Sequence, residues 1–499
     1  MPKAILSVSD KTNLIPFAAK LSQSGWTLLA SGGTAKLLSE NNIPVTEISK
    51  YTSSPEILDG RVKTLHPAIH GGILAQDTPA HREDLAGLGI DMIDLVVCNL
   101  YPFQETIAKE NVKIEEAIEN IDIGGVTLLR AAAKNYQRVS VLCDIRDYDG
   151  FLKKNGTNSF SVEDRYTYAV KAFQHTATYD AAIATYLSSG EFTTIPVHKQ
   201  ATLRYGENPH QEAEYYTYSK NNGPLGGKFL QGKELSYNNY LDLDAALRSV
   251  ISFDEPTVVI VKHLSPCGIA SANKLHDAYQ QALASDPVSA FGSVIASNRA
   301  IDIETAQEIK KLFVECIIAP GYDETALELL QTKKNCRIIE MPNLMIEPAI
   351  EYRSVNMGLL RQDIDYGDPK PEKWQVVTSK KPTAAEMESL HFAWKACQHV
   401  KSNAIVFVSG KATIGIGGGQ PNRVDCVQIA AQRAGEKSNG AVMASDAFFP
   451  FADSVEHAAK FGITAIVQPG GSKRDIESIE MANRLNIAMV FTGVRHFKH

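Results

Sequence analysis

Short apolar runs rich in β-branched residues recur along this chain, and each ends in a polar or glycine-rich turn. They are residues 4–8 (AILSV), 26–30 (WTLLA), 94–98 (DLVVC), 257–261 (TVVIV), 404–408 (AIVFV) and 441–445 (AVMAS). Runs of that length, spaced by helix-sized stretches, predict the buried strands of an α/β protein. In open α/β sheets ligands bind beyond the carboxyl ends of strands, so the residues just after each run are where chemistry is sought.

The run at 257–261 ends in Lys262-His263 and is followed by Ser265-Pro266-Cys267-Gly268, a turn signal. An ammonium beside an imidazole disfavours its protonated form, leaving a ring able to accept a proton near neutrality. The lysine can stabilise a developing oxyanion. Such a pair suits acyl or formyl transfer to a poor nucleophile; from spacing alone, a plain surface pair at a strand end fits as well.

The run at 26–30 leads into Ser31-Gly32-Gly33-Thr34 and a predicted helix over 35–40. Strand, glycine turn and helix aim backbone N–H groups and a helix dipole at an anion. Ser7, Ser9 and Lys11 follow the neighbouring run and would join the same cradle. Basic residues recur in the block at 60–67 (GRVKTLHP), and Tyr101 lies in the loop after 94–98. Asp122 precedes a predicted helix over 126–134 that ends at Lys134. Each has an alternative reading: charge at a helix terminus for Asp122 and Lys134, loop packing for Tyr101.

A chain of 499 residues is too long for one core. A capped amphipathic helix is predicted over 161–187, with Val162, Tyr166, Ala169, Phe173, Ala177 and Ile183 as its stripe. The turn-rich stretch 188–200 then marks a boundary, giving domains 1–199 and 200–499. The second opens on Leu203-Arg204-Tyr205-Gly206, able to clamp a phosphate and stack on a flat heterocycle. Element order near 257–297 is echoed near 404–451, which predicts two related lobes. In the echo, 414–420 (IGIGGGQ) reads as a glycine-rich turn. The terminal RHFKH reads as disordered surface or as part of a phosphate site.

The net charge of −7 gives no footprint for nucleic acid or an anionic membrane. Seven scattered cysteines without a C-x-x-C pair speak for a reducing compartment, and no apolar stretch is long enough for a membrane span. A cytoplasmic protein is expected. No ATP-cradling P-loop pattern occurs, and Pro266-Cys267 begins a zinc-deaminase signature that Ala270 breaks.

The blocks SVSDKT, ASGGTAKLL, GRVKTLHP, NLYPF, IDIGGVTLLRAAAKN, LRYGENPHQ, KHLSPCG, IGIGGGQPNR, SDAFFPF and RHFKH stand in order along the whole chain. In them the sequence resembles the bifunctional purine-biosynthesis family that joins AICAR formyltransferase (AICAR is phosphoribosylaminoimidazolecarboxamide) to IMP cyclohydrolase. The resemblance implies an α/β architecture. Its first part would be a methylglyoxal-synthase-like, doubly wound parallel sheet, followed by two cytidine-deaminase-like lobes lacking zinc.

It further implies that residues 1–199 close formyl-AICAR to IMP with loss of water. Lys63, Tyr101, Asp122 and Lys134 would be catalytic. Ser7, Ser9, Lys11, Ser31, Gly32, Gly33, Thr34, Arg61 and Thr64 would hold the nucleotide, and N–H groups at Gly124 and Gly125 would meet developing charge. Residues 200–499 would transfer formyl from 10-formyltetrahydrofolate to AICAR, with His263 as base and Lys262 as oxyanion or proton partner. Arg204, Tyr205, Gly292, Glu315, Asn403, Arg423, Phe448, Arg495 and His499 would form the binding shell. A homodimer sharing the transferase site is implied, with no metal needed for the chemistry. Ser265 and Ser293 depart from the family's usual asparagine and glycine, and Cys316 receives no role. Two other readings stay open here, a nucleotide-sensing first half and a deaminase-like hydrolase.

Overall fold

The computed structural model describes residues 1–55, 57–58, 62–156, 160–218, 223–347, 349–369 and 373–499. The chain divides into two units, Met1–Pro196 and Val197–His499. A cut at 199/200 would pass through a strand that begins at His198.

In the first unit β1 (Lys3–Val8), β2 (Thr27–Ala30), β3 (Thr46–Glu47), β4 (Leu95–Asn99) and β5 (Ser140–Leu142) form a sheet of order β3-β2-β1-β4-β5. All neighbours run parallel, with Ile5 opposite both Leu29 and Val96. Helices cover both faces, which is why the strands are apolar throughout rather than alternating. One face packs on Leu128, Leu129 and Ala132, the other on Phe17, Leu21 and Phe151. Strand order reverses between β1 and β4, so the crevice at their carboxyl ends is the switch point. The helix Val162–Leu187 starts in a capping box of Ser161 and Asp164. It buries Ala169, Ala172 and Tyr179 and leaves Val162, Tyr166 and Phe173 exposed, so the expected stripe is only partly core.

The second unit opens with a hairpin of β6 (His198–Leu203) and β7 (Ala213–Thr217). One lobe then carries β8 (Lys228–Gln231), β9 (Thr257–Lys262), β10 (Ser265–Ser271), β11 (Ser293–Ser297), β12 (Val314–Ala319) and β13 (Arg337–Glu340). A hairpin of β14 (Ile350–Val355) and β15 (Gly358–Asp363) intervenes. The other lobe carries β16 (Gln375–Val376), β17 (Ala404–Ser409), β18 (Ala412–Gly418), β19 (Val442–Ser445), β20 (Ala465–Gln468) and β21 (Ala488–Phe491).

The two lobes share one 12-stranded sheet, joined where β10 pairs antiparallel with β18. Outward from that seam the order is β10-β9-β11-β12-β13-β8 on one side and β18-β17-β19-β20-β21-β16 on the other. Each pair has the same sense as its counterpart. Even the bulge repeats, skipping Cys267 in one lobe and Ile414 in the other. The echo in the sequence is therefore an internal duplication.

Two expectations are corrected by this sheet. The IGIGGGQ stretch is not a turn: residues 414–418 lie in β18. Its glycines are demanded by packing, since a Cβ at Gly415 or Gly417 would collide with backbone carbonyls of the helix Arg423–Ala434. Gly268 approaches the helix Leu275–Ser285 in the same way. Likewise Ser265–Gly268 is strand, and the reversal falls at His263-Leu264. Both residues have positive φ, 54° and 63°, as a two-residue type I′ hairpin requires.

Candidate active site

In the first unit the switch-point crevice gathers most of the expected groups. The helix Gly32–Glu40 begins where β2 ends, and Gly32 takes φ of 50°, a value that favours glycine. A Cβ there would lie 3.0 Å from Lys63 Nζ, and one at Gly33 would lie 3.8 Å from Lys11 Nζ. Two ammonium groups thus stand over a helix N-terminus, whose own partial charge is positive. Positive contributions gathered at a helix N-terminus suit an anion. Ser31 is the N-cap, and its hydroxyl makes no capping bond. Thr34 is different: its hydroxyl donates to Val8 O at 3.3 Å and holds the helix to β1. Arg61 lies outside the described residues.

A second helix N-terminus, that of Gly124–Lys134, faces the same crevice. The Gly125 N–H donates to Asp122 Oδ1 at 2.7 Å. Burial pushes the Asp122 carboxyl above its usual range, opposed by the N–H groups of Gly125 and Tyr101. A carboxyl so placed can hold or release a proton nearer neutrality. A Cβ at Gly125 would stand 2.6 Å from Asp122 Oδ2, and one at Gly124 would stand 2.8 Å from Thr64 Oγ1. Tyr101 is exposed at the end of β4. A cavity of about 190 Å³ lined by Ser49, Thr52, Ser54, Lys63 and His66 adjoins these groups. Lys134 is not brought to them: it closes the helix that Asp122 opens, roughly 15 Å along the axis.

Sequence reasoning missed two residues that hold this site. Asn99 Oδ1 accepts the N–H groups of Ser9 and Asp10, at 2.7 and 3.0 Å, and fixes the loop after β1. The Tyr179 hydroxyl accepts the Asp122 N–H at 2.8 Å and donates to Asn120 O. Asn99 lies inside the NLYPF block; Tyr179 is one tyrosine in a long helix and carries no local signal.

In the second unit Lys262 ends β9 and His263 forms the hairpin tip. Because β9 runs antiparallel to β11, that tip lies at the amino ends of β11 and β12, opposite the switch-point position expected. Lys262 Nζ donates to Phe291 O at 2.7 Å. Gly292 has φ of 75°, and its N–H donates to Phe313 O. Glu315 pairs with Arg337 at 2.5 Å, which also donates to the carbonyls of Lys233 and Glu234.

The partner of this tip comes from the other lobe. Ala270 pairs with Ala412, so the start of β10 runs toward the end of β18, where Gln420 and Asn403 stand. There Arg423, 7% exposed, is ion-paired with fully buried Asp446. It also donates to Asn403 Oδ1 at 2.6 Å and Ser445 Oγ at 2.9 Å. Asp446 accepts from Ser402 Oγ at 2.5 Å. A buried charge pair needs this many partners to offset desolvation.

The duplicate end lacks the pair. Register makes Asn298 the counterpart of Asp446, and the glycine–helix contacts make Leu275 the counterpart of Arg423. Asn298 there only accepts from Thr257 N and donates to Phe253 O and Glu255 O. One of two equivalent ends has kept ionic groups.

Arg204 follows β6, with its guanidinium 5.1 Å from the Tyr205 ring centre. Phe448 is part-exposed after β19. The terminal segment is not loose: Ser402 N donates to Lys498 O, Lys498 N donates to Ser402 Oγ, and His496 N donates to Asp446 O. Arg495, stacked 4.2 Å from the Phe497 ring centre, and His499 remain exposed. Asp446, Ser402 and His496 were not singled out as site residues from the sequence, although Asp446 lies in the SDAFFPF block. Among the described residues no group of three or more His, Cys, Asp or Glu could hold a metal ion, and no helix is long and apolar enough to cross a membrane.

Fold and polar ends together define a class: a two-unit α/β enzyme with an anion cradle in one unit and, in the other, duplicated lobes of which one holds a buried ionic cluster. A family model described as the AICARFT/IMPCHase bienzyme matches residues 132–433, and one for an MGS-like domain matches 13–127. The bifunctional purine biosynthesis protein PurH of Listeria monocytogenes serotype 4b is 51% identical over 511 residues, covering 100% of both chains. That of Caldicellulosiruptor saccharolyticus is 51% identical over 513 residues, covering 100% of this chain and 99% of its own. That of Cyanothece sp. is 50% identical over 512 residues, with 100% of both covered. The chain belongs to the AICARFT/IMPCHase bienzyme family: it is a bifunctional enzyme of purine biosynthesis, an AICAR formyltransferase and IMP cyclohydrolase. Its ligands are AICAR, formyl-AICAR, IMP and a formyl-folate co-substrate.

Proposed function

We propose that the two activities divide between the two units, ring closure in residues 1–196 and formyl transfer in 197–499. The observation that supports the first assignment is the pair of ammonium groups over the Gly32-Gly33 helix start, facing a carboxyl raised by burial. The cradle of Ser7, Ser9, Lys11, Ser31, Gly32, Gly33 and Thr64 takes the nucleotide phosphate, with Thr34 bracing it. Asp122 and Tyr101 move protons as the carboxamide nitrogen attacks the formyl carbon. Lys63 and the Gly124 N–H meet the oxyanion before water leaves, while the Gly125 N–H holds Asp122. Lys134, at the far end of the helix Gly124–Lys134, takes no step in this crevice.

In the second unit, 10-formyltetrahydrofolate is the donor and AICAR the acceptor. The AICAR amine is conjugated into its ring and carboxamide, so it attacks only as its proton is removed. His263 takes that proton and Lys262 stabilises the tetrahedral oxyanion. Arg423, Asn403, Arg204, Arg495 and His499 bind anionic and amide groups; Tyr205, Phe448 and Gly292 line the flat ligands, and Glu315 holds polar edges. No metal takes part. The enzyme works in the cytoplasm as a homodimer.

The test mixes AICAR with 10-formyltetrahydrofolate and follows tetrahydrofolate and IMP separately. His263→Ala should abolish formyl transfer and leave closure of supplied formyl-AICAR intact, whereas Lys63→Ala should let formyl-AICAR accumulate. A folded variant that loses both activities at once would refute the division.

A further inference from the structure

Away from the groups assigned above, one imidazole is enclosed more completely than any role so far requires. His496 is 3% exposed, between Asp365 and Asp368 of the connection that joins the two lobes. Nδ1 meets Asp365 Oδ2 at 2.6 Å and Nε2 meets Asp368 Oδ1 at 2.8 Å. Both ring nitrogens therefore face acceptors, which suits the doubly protonated ring. Asp368 is itself fixed by the indoles of Trp374 and Trp394, each 3.0 Å away, and Asp365 O accepts from Gln398 Nε2.

The ring stands on the segment that reaches the buried Arg423–Asp446 pair. Its own N–H is bonded to Asp446 O, and two residues on, Lys498 exchanges main-chain and hydroxyl bonds with Ser402. Ser402 and Arg423 share the Asp446 carboxylate, and Arg423 holds Asn403. Arg495, next to His496, points out into solvent. A chain of direct bonds thus runs from the inter-lobe connection, through one imidazole, to Asn403 and Arg423 of the proposed binding shell.

We propose that His496 is a positioning residue for formyl transfer: clamped as a cation by Asp365 and Asp368, it seats the terminal segment so that Arg495, Asn403 and Arg423 are set for the anionic substrate. This rests on the assignment of formyl transfer to the second unit. The titratable groups facing the ring are those two carboxylates and His399, just past the helix Ala384–Gln398. Burial opposes the imidazolium, but the bonds to both carboxylates outweigh it and raise the ring to about 9. His399 stays neutral, pushed down to about 3 by burial and then by Lys498, so it does not compete as a cation.

The experiment uses the full chain and compares wild type, His496→Gln and Asp368→Asn across pH 7 to 10. In wild type, KM for AICAR should be flat at neutral pH and rise as the ring loses its proton near pH 9. His496→Gln should raise KM about tenfold at neutral pH with kcat nearly unchanged and no break in the profile. Asp368→Asn should keep the fold and shift the break to lower pH. Ring closure of formyl-AICAR should be unchanged in both. Amide hydrogen exchange of residues 492–499 supplies a readout that needs no turnover, and should accelerate in His496→Gln alone among the segments of that lobe. If His263→Ala, assayed alongside, loses formyl transfer but the His496 and Asp368 variants keep the wild-type KM, pH profile and slow exchange, the positioning role is overturned while the assignment of activity stands. If His263→Ala still transfers formyl, that assignment fails, and unchanged tail exchange in His496→Gln overturns the clamp separately.

Discussion

The main-chain N–H of Leu264 donates to Asp242 Oδ1 at 2.7 Å, which ties the hairpin tip bearing His263 to the helix Tyr237–Val250. The tip is a strained pair of left-handed residues, so it keeps its shape only where something outside it fixes the turn. Asp242→Ala removes a charge-assisted bond of about 1.5–3 kcal/mol. Formyl transfer should fall by about one to two orders of magnitude in kcat/KM, with IMP formation from formyl-AICAR unaltered. Separate assays of the two steps check it.

Gly125→Ala places a methyl 2.6 Å from Asp122 Oδ2 and 2.8 Å from Leu100 Cδ2. The carboxylate must move and lose the Gly125 N–H. Ring closure should drop at least tenfold, about 1.4 kcal/mol of barrier, while tetrahydrofolate release continues at the wild-type rate.

Asp446→Leu leaves the Arg423 guanidinium buried without its counter-ion. Breaking such a pair costs about 3–5 kcal/mol, visible as a lower denaturant midpoint for the second unit. The double change Arg423→Met with Asp446→Leu should recover part of that stability and none of the formyl transfer.

Acid and alkali should unsettle the second unit for opposite reasons. His399 is depressed to about 3 by burial, beside Ser252 Oγ at 2.8 Å. On unfolding it regains an ordinary value near 6.5, so between those values the unfolded chain binds the extra proton. Stability is then lost as pH falls from about 6.5 toward 3, by about 1.4 kcal/mol per unit at most. His496 is raised to about 9, so its contribution is complete below about 6.5 and lost as pH rises through 9. Urea midpoints measured across pH should therefore pass through a maximum. His399→Gln should flatten the acid side and His496→Gln the alkaline side.

The strands were legible because both faces of each sheet are covered, which makes 95–98 and 404–408 continuous apolar runs. The crevice of the first unit was legible too, since parallel strands put their carboxyl ends on one edge. His263 misled for a local reason: a run ending in a turn looks alike whether the next strand is parallel or antiparallel. The glycines of β18 misled similarly, because close approach to a helix and freedom to turn both call for a missing Cβ. Pairs such as Asp368 with His496, or Thr413 Oγ1 with the Ile269 N–H, are far apart in sequence and leave no periodic trace.

The hairpin at Gly410 is the twin of the one that carries His263, raised on the same skipped residue and the same glycine-to-helix approach. It bears no imidazole, and its Lys411 is anchored to Glu255 at 2.5 Å and Glu388 at 2.7 Å. Of the twin hairpins, the one at Gly410 is thus lashed down by ion pairs like a keel. Exchanges at Lys411 belong in a heat-inactivation assay before they are tried for turnover.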